Sequence, residues 1–277
     1  MAKRIEDLTF IDDGMFQAVM HEPGISEEVI ERLLHVKVEK IVYPELEKQI
    51  EPFYTTKGVR LDVYLKDENR IIDVEIQTYK QDAIGKRTRY YQSMIDIDSL
   101  MKGQDYSELL ESYVLFICTY DPFQNNTDKG FGLPCYTFKN ICLENSDVAL
   151  DDKSIKVIYN ASAYEAVKDE KIQDFLRFVS TNEPDEDNFS KKLSDTVERL
   201  KENEIFRRDY AAMNLHDRDI KKIAKEEGIL EGKQQKAEEA AINLLRMNIL
   251  SPEQIAQAQG LTVEKVLELQ KSILVEA

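Results

Sequence analysis

The chain has 277 residues, 42% of them apolar, enough for one large domain or a domain with an appendage. Its formal net charge of −16 argues against a protein that coats a polyanion, but leaves room for an enzyme whose positive charge is local or supplied by metal ions. No apolar run reaches membrane-spanning length, and the opening MAKRIEDLTFIDDG holds no apolar signal core, so no membrane span and a cytoplasmic location are expected.

In chain order, MFQAVM and ISEEVIERLLHV repeat their apolar residues with helical period, and Asp13 reads as a helix cap. RLDVYL and RIIDVEIQ alternate as strands and predict a β-hairpin turning at Glu68 and Asn69. Asp62 then faces Glu75, Arg60 faces Gln77 and Tyr64 faces Asp73. Val59, Leu61, Val63, Leu65, Ile72, Val74 and Ile76 make a core face, while the acids share the other. KRTRYYQSMIDIDSLMKG returns to helix and stops at Gly103. SYVLFICTY suits a strand buried on both faces, DPFQNNTDKGFG is a loop, LPCYTFKN and IKVIYN are further strands, and KIQDFLRFV is a helix. Cys118, Cys135 and Cys142 lie in or near apolar runs without CxxC spacing and are expected to be reduced, buried thiols.

This order predicts an α/β fold, a mixed sheet flanked by helices, over residues 1–182. TNEPDEDNFS reads as a connector, and residues 183–277 as a helical C-terminal region. There Gly228 and Gly232 weaken a long helix rich in Ala, Glu and Lys. Ser251 with Pro252 starts a short helix, Gly260 ends it and Thr262 caps the next, which gives a helix-turn-helix-like end. The last helix carries Glu264 and Glu268 against Lys265 and Lys271, a balance that favours a packed hairpin or a homo-oligomer contact over DNA binding.

Like charges directly opposed across a hairpin are destabilising, unless something uses them. Opposed Cβ atoms lie about 5 Å apart, so Asp62 and Glu75 can converge on one small cation. Mg²⁺ prefers one or two carboxylates, keeps several waters and accepts phosphate oxygens. A solvated acidic face is the competing reading. The next segment holds the densest basic cluster of the chain, Lys80, Lys86, Arg87 and Arg89, with Arg87 and Tyr91 four apart on one helical face. An acidic hairpin running into a basic, aromatic helix suits a phosphodiester; a solvated basic face is again the alternative.

The order of Asp62, then Glu75 and Gln77 on the next strand, then a helix resembles the PD-(D/E)XK nuclease superfamily. Within it the chain resembles the recombination-promoting nuclease and transposase family, through DDGMFQAVM, GVRLDVYL, DVEIQ, KRTRYYQSMID, YVLFICTYDPF, LPCYTFKN and the acidic helical tail. The resemblance covers nearly the whole chain. It implies a restriction-endonuclease-like core and a DNA endonuclease dependent on Mg²⁺, with Mn²⁺ as a substitute. It assigns Asp62 and Glu75 as metal ligands with the carbonyl of Ile76, Gln77 as the group that positions water, and Arg87, Tyr91 and Lys80 as support or DNA contacts. It also allows Asp12 or Asp13 to approach the metal. Asp73 shares the acidic face of the hairpin and could sit behind the ligands or beside a second metal. Gln77 stands where the superfamily usually has lysine. Glutamine can hydrogen-bond water but carries no charge, so Lys80 or Arg87 would supply it. A nuclease core that has lost catalysis and binds DNA or a protein is the rival expectation, and an RNA nuclease the third.

Overall fold

The computed structural model describes residues 3–38, 42–50, 58–80, 82–125, 129–185, 188–247 and 249–275. Asn126, Thr127 and Asp128 of the expected loop, and Glu186 and Asp187 of the expected connector, lie outside them. In chain order the main elements begin with α1 (Asp13–Met20), α2 (Ile25–Leu34), β1 (Val42–Ile50), β2 (Val59–Lys66), β3 (Arg70–Gln77) and α3 (Ile84–Ser99). Then follow β4 (Glu111–Cys118), β5 (Cys135–Phe138), β6 (Ser154–Asn160), α4 (Glu170–Thr181), α5 (Phe189–Glu202), α6 (Glu204–Met247), α7 (Pro252–Gln259) and α8 (Val263–Val275).

The six strands form one mixed sheet in the order β1-β2-β3-β4-β6-β5. β2 and β3 pair antiparallel; β3, β4 and β6 run parallel, which requires the crossover that α3 provides between the first two. The hairpin register is the expected one, from Lys66↔Ile71 to Val63↔Val74. Asp67 organises its turn, accepting hydrogen bonds from the backbone N–H of Asn69 at 2.8 Å and of Arg70 at 2.7 Å.

Successive residues of a strand point to opposite faces, and β6 shows which helices cover each. Ile158 joins the cluster of Tyr64, Ile71, Tyr91, Met94, Ile95 and Phe116 beneath α3. Tyr159 points the other way and donates its hydroxyl to the Leu33 carbonyl at the end of α2, at 2.6 Å. On that second face Phe10 is fully buried and meets Phe16, Phe175 and Phe178 with ring centroids 5.4, 6.0 and 5.7 Å away.

Three features differ from the sequence reading. β1 is an additional edge strand. Its sequence VYPELEKQI carries a proline and three charges that mask it, and an edge is where proline is tolerated. The polar face of the hairpin is covered by α3, so Asp62, Tyr64, Asp73, Glu75 and Gln77 are all buried. Of the cysteines only Cys118 is buried; Cys135 and Cys142 are partly exposed.

The chain divides into two compact units, Met1–Arg208 and Asp209–Ala277, with the division inside α6. α5 lies in the first and packs on α1 and α4. In the second, Ala241, Ile255, Ala256 and Val266 form a small core joining the end of α6 to α7 and α8. Ser251 closes a capping box with Gln254, Gly260 ends α7 in the left-handed conformation, and Thr262 accepts from the Lys265 N–H at 3.2 Å.

Phe10→Ala removes the ring that links α1 to α4. It is expected to cost about 3–5 kcal/mol, read as a lower denaturation midpoint with an unchanged slope in urea.

Candidate active site

The backbone ladder of the hairpin ends at Val63↔Val74, one step before the two acids. From there side chains take over the hydrogen bonding. Glu75 Oε1 accepts from the Asp62 backbone N–H at 2.9 Å, and Asp62 Oδ2 accepts from the Ile76 N–H at 3.2 Å. Each acid therefore satisfies a donor of the opposite strand, and the carboxylates are held at the end of the sheet where β2 and β3 part. The two acids that the register sets opposite each other are thus tied to backbone donors across the hairpin.

α3 brings the counter-charge. The Arg87 guanidinium donates to Glu75 Oε2 at 3.1 Å, to Gln77 Oε1 at 2.8 Å and to the Tyr91 hydroxyl at 2.7 Å. It also lies over the rings of Tyr91 and Phe116, at 5.0 and 5.4 Å from their centroids. The Gln77 amide is engaged at both ends, since its Nε2 donates to the Ile76 carbonyl at 2.8 Å. Asp62, Glu75, Ile76, Gln77, Arg87 and Tyr91 thus form one connected group.

Lys80 lies apart from it and donates to Gln124 beyond β4. Asp73 is fully buried next to Glu75 on the same face, and neither of its carboxylate oxygens has a hydrogen-bond partner. Asp13 is the first residue of α1, and the cap position belongs to Asp12. Asp13 pairs instead with Arg60 of β2 at 3.1 Å, and its charge reaches Asp62. The sequence gives no sign of that pairing, which spans forty-seven positions. Asp13, Arg60, Asp62, Gln77 and Arg87 line one cleft of about 790 Å³. Tyr79, Lys86, Arg89 and Tyr90 line it as well.

Burial dominates the electrostatics. It pushes Asp62 up to about 7, with the Asp13 charge adding and the Ile76 hydrogen bond and the Arg60 and Arg87 charges opposing. It pushes Glu75 up to about 8, with Asp62 adding and the hydrogen bond from Asp62 N–H and the Arg87 charge opposing. Asp73 is pushed well above the carboxylate range, again by burial first and then by Glu75 and Asp62. The three buried carboxyls carry more potential negative charge than the nearby Arg87 and the more distant Arg60, already paired with Asp13, can offset. Among the described residues no three His, Cys, Asp or Glu converge on one metal position. The oxygen donors present, two carboxylates and the Ile76 carbonyl, fit a hard cation that keeps waters of its own.

A mixed sheet with helices on both faces and acids at the end of a central hairpin is the architecture of restriction-endonuclease-like nucleases. The family of PD-(D/E)XK nuclease family transposases matches residues 25–233, and the chain belongs to it. No curated protein and no solved structure matches the chain significantly. Nucleases of this superfamily typically use divalent metals, and DNA is the substrate the family suggests. Among the described residues no helix is long and apolar enough to cross a membrane.

A carboxyl whose pKa is raised by folding stabilises the fold when protonated. For Glu75 that contribution is complete below its ordinary value of 4.5 and lost as the pH rises through about 8. With divalent metal chelated, Glu75→Gln is expected to gain on the wild type in Tm by a few degrees between about pH 5 and about pH 9. Parallel pH profiles for the two proteins would contradict this.

Proposed function

We propose that the chain is a metal-dependent endonuclease that hydrolyses DNA phosphodiesters at the open end of the β2–β3 hairpin. The observation that carries this reading is the connected group of Asp62, Glu75, Gln77 and Arg87 at the cleft, in a chain of nuclease family. Asp62, Glu75 and the Ile76 carbonyl would hold the cation. A divalent ion bound there supplies an activated water and neutralises charge on the phosphate.

The remaining work falls to the protein's own side chains. Arg87 brings into the site the permanent positive charge that Gln77 lacks, and Lys80 does not. Its guanidinium is aimed by Tyr91, whose hydroxyl accepts from both Nε and one terminal nitrogen, at 2.9 and 2.7 Å. Aimed in this way it stabilises negative charge as it builds on the phosphate oxygens, without reorganising. Gln77 holds the guanidinium with its carbonyl and the Ile76 carbonyl with its amide, which fixes the direction of a metal-facing oxygen. The helical region after residue 182 is in this proposal an accessory, with self-association through α7 and α8 as its simplest role.

The double engagement of the Gln77 amide also favours a second reading, a core that binds DNA without cutting it. Plasmid cleavage separates the two. Wild-type protein with Mg²⁺ or Mn²⁺ is expected to nick and linearise supercoiled DNA, and Asp62→Ala or Glu75→Ala to abolish it without unfolding. Equal cutting by wild type and variants would remove the site from this hairpin. Binding by the wild type without cutting would establish the second reading.

Arg87→Ala is expected to lower the single-turnover rate by about 10²–10³-fold. Arg87→Lys should recover little of this, because an ammonium cannot hold Gln77, Glu75 and Tyr91 together.

A further inference from the structure

The cleft that holds the acids is bordered by aromatic rings as well as by charge. Tyr79 lies two residues past the end of β3 and is 67% exposed; Tyr90, on the outer side of α3, is 37% exposed. Both line the same cleft as Asp62 and Gln77. Tyr91, next in sequence to Tyr90, faces the sheet instead and holds Arg87, with its ring 6.0 Å from that of Phe116. The consecutive tyrosines therefore divide between inside and outside, and the outer one presents its ring to the cleft. Lys86 precedes Tyr90 by one helical turn, and Arg89 is beside it; both are exposed and line the cleft.

The charge of the cleft limits what it can hold. Arg60, Lys86, Arg87 and Arg89 are offset by Asp13, Asp62 and Asp82, which line it too. The whole chain carries −16. Binding to duplex DNA draws on the number of phosphates neutralised, and so nearly balanced a surface gains little that way. A duplex also keeps the faces of its bases inside the stack, where exposed tyrosines cannot reach them. An unpaired strand offers those faces, and stacking on an aromatic ring contributes whatever the base.

We infer that the cleft takes an unpaired strand of DNA, with bases stacked on Tyr79 and Tyr90 and phosphates held by Lys86, Arg89 and Arg60. This rests on the reading of the cleft as the substrate site. It makes frayed ends, flaps and melted segments the preferred targets over regular duplex.

The test is binding by fluorescence anisotropy, with the full chain carrying Asp62→Asn so that nothing is cut. The probes are labelled oligo-dT and a duplex of equal length. Oligo-dT is expected to bind about tenfold or more tighter than the duplex. Tyr79→Ala with Tyr90→Ala should remove that preference, about tenfold in affinity for each ring lost, with the duplex affinity unchanged. Tyr79→Phe with Tyr90→Phe should retain it, since the rings remain and only the hydroxyls go. Equal binding of the two probes, no binding of either, or an alanine variant that keeps the preference would each overturn the inference. So would its loss in the phenylalanine variant, which would make these residues hydroxyl donors to phosphate. Plasmid cleavage by the wild type is read separately. Cutting without strand preference sinks this inference and leaves the nuclease; strand preference without cutting does the reverse.

Discussion

The guanidinium of Arg87 is the interaction on which the site depends. Glu75 is fully buried and Asp62 nearly so, and without a nearby cation their charged forms would be strongly disfavoured. Arg87 donates to Glu75, and its charge opposes the upward shift of both acids. It is itself located by Tyr91, by Gln77 and by the faces of two aromatic rings. Those rings belong to the cluster that joins α3 to the sheet. Packing of that helix and electrostatics of the site are therefore one problem: a change in how α3 sits on β4 moves the charge as well.

In the proposed nuclease site, the same arrangement explains a glutamine where the superfamily usually has lysine. A lysine at position 77 would bring its own charge from the strand. Here the charge comes from the helix, and the strand position needs an acceptor for the guanidinium together with a donor for the neighbouring carbonyl. An amide has both.

Much of this was readable from the chain, because the signals are local. Alternation in residues 59–77 set the hairpin register, and the caps of α7 and α8 at Ser251, Gly260 and Thr262 stand where their residue types predict. The four-residue spacing of Arg87 and Tyr91 placed both on one helical face, and they are hydrogen-bonded. What escaped the sequence depends on distant partners. An alternating strand reads alike whether its polar face meets water or a helix, so the burial of Asp73 and Glu75 under α3 left no mark. Asp13 looked like a cap because its local neighbours permit one, while its pairing with Arg60 exists only once α1 reaches β2. β1 was hidden by its own proline and charges, which an edge strand tolerates. The side-chain bonds that continue the hairpin past its backbone ladder depend on where each carboxyl group points, which no residue pattern encodes.

The connected group is drawn from a single stretch, Asp62 to Tyr91, made of two adjoining strands and the helix that follows. Such a stretch behaves as a cassette. The hydrogen bonds that join its members run between elements that are neighbours in the chain, with the ring of Phe116 from β4 beneath the guanidinium. The edge strands, the loops between β4 and β6 and the helical tail are then free to diverge, and with them what the protein meets, while the chemistry stays in register.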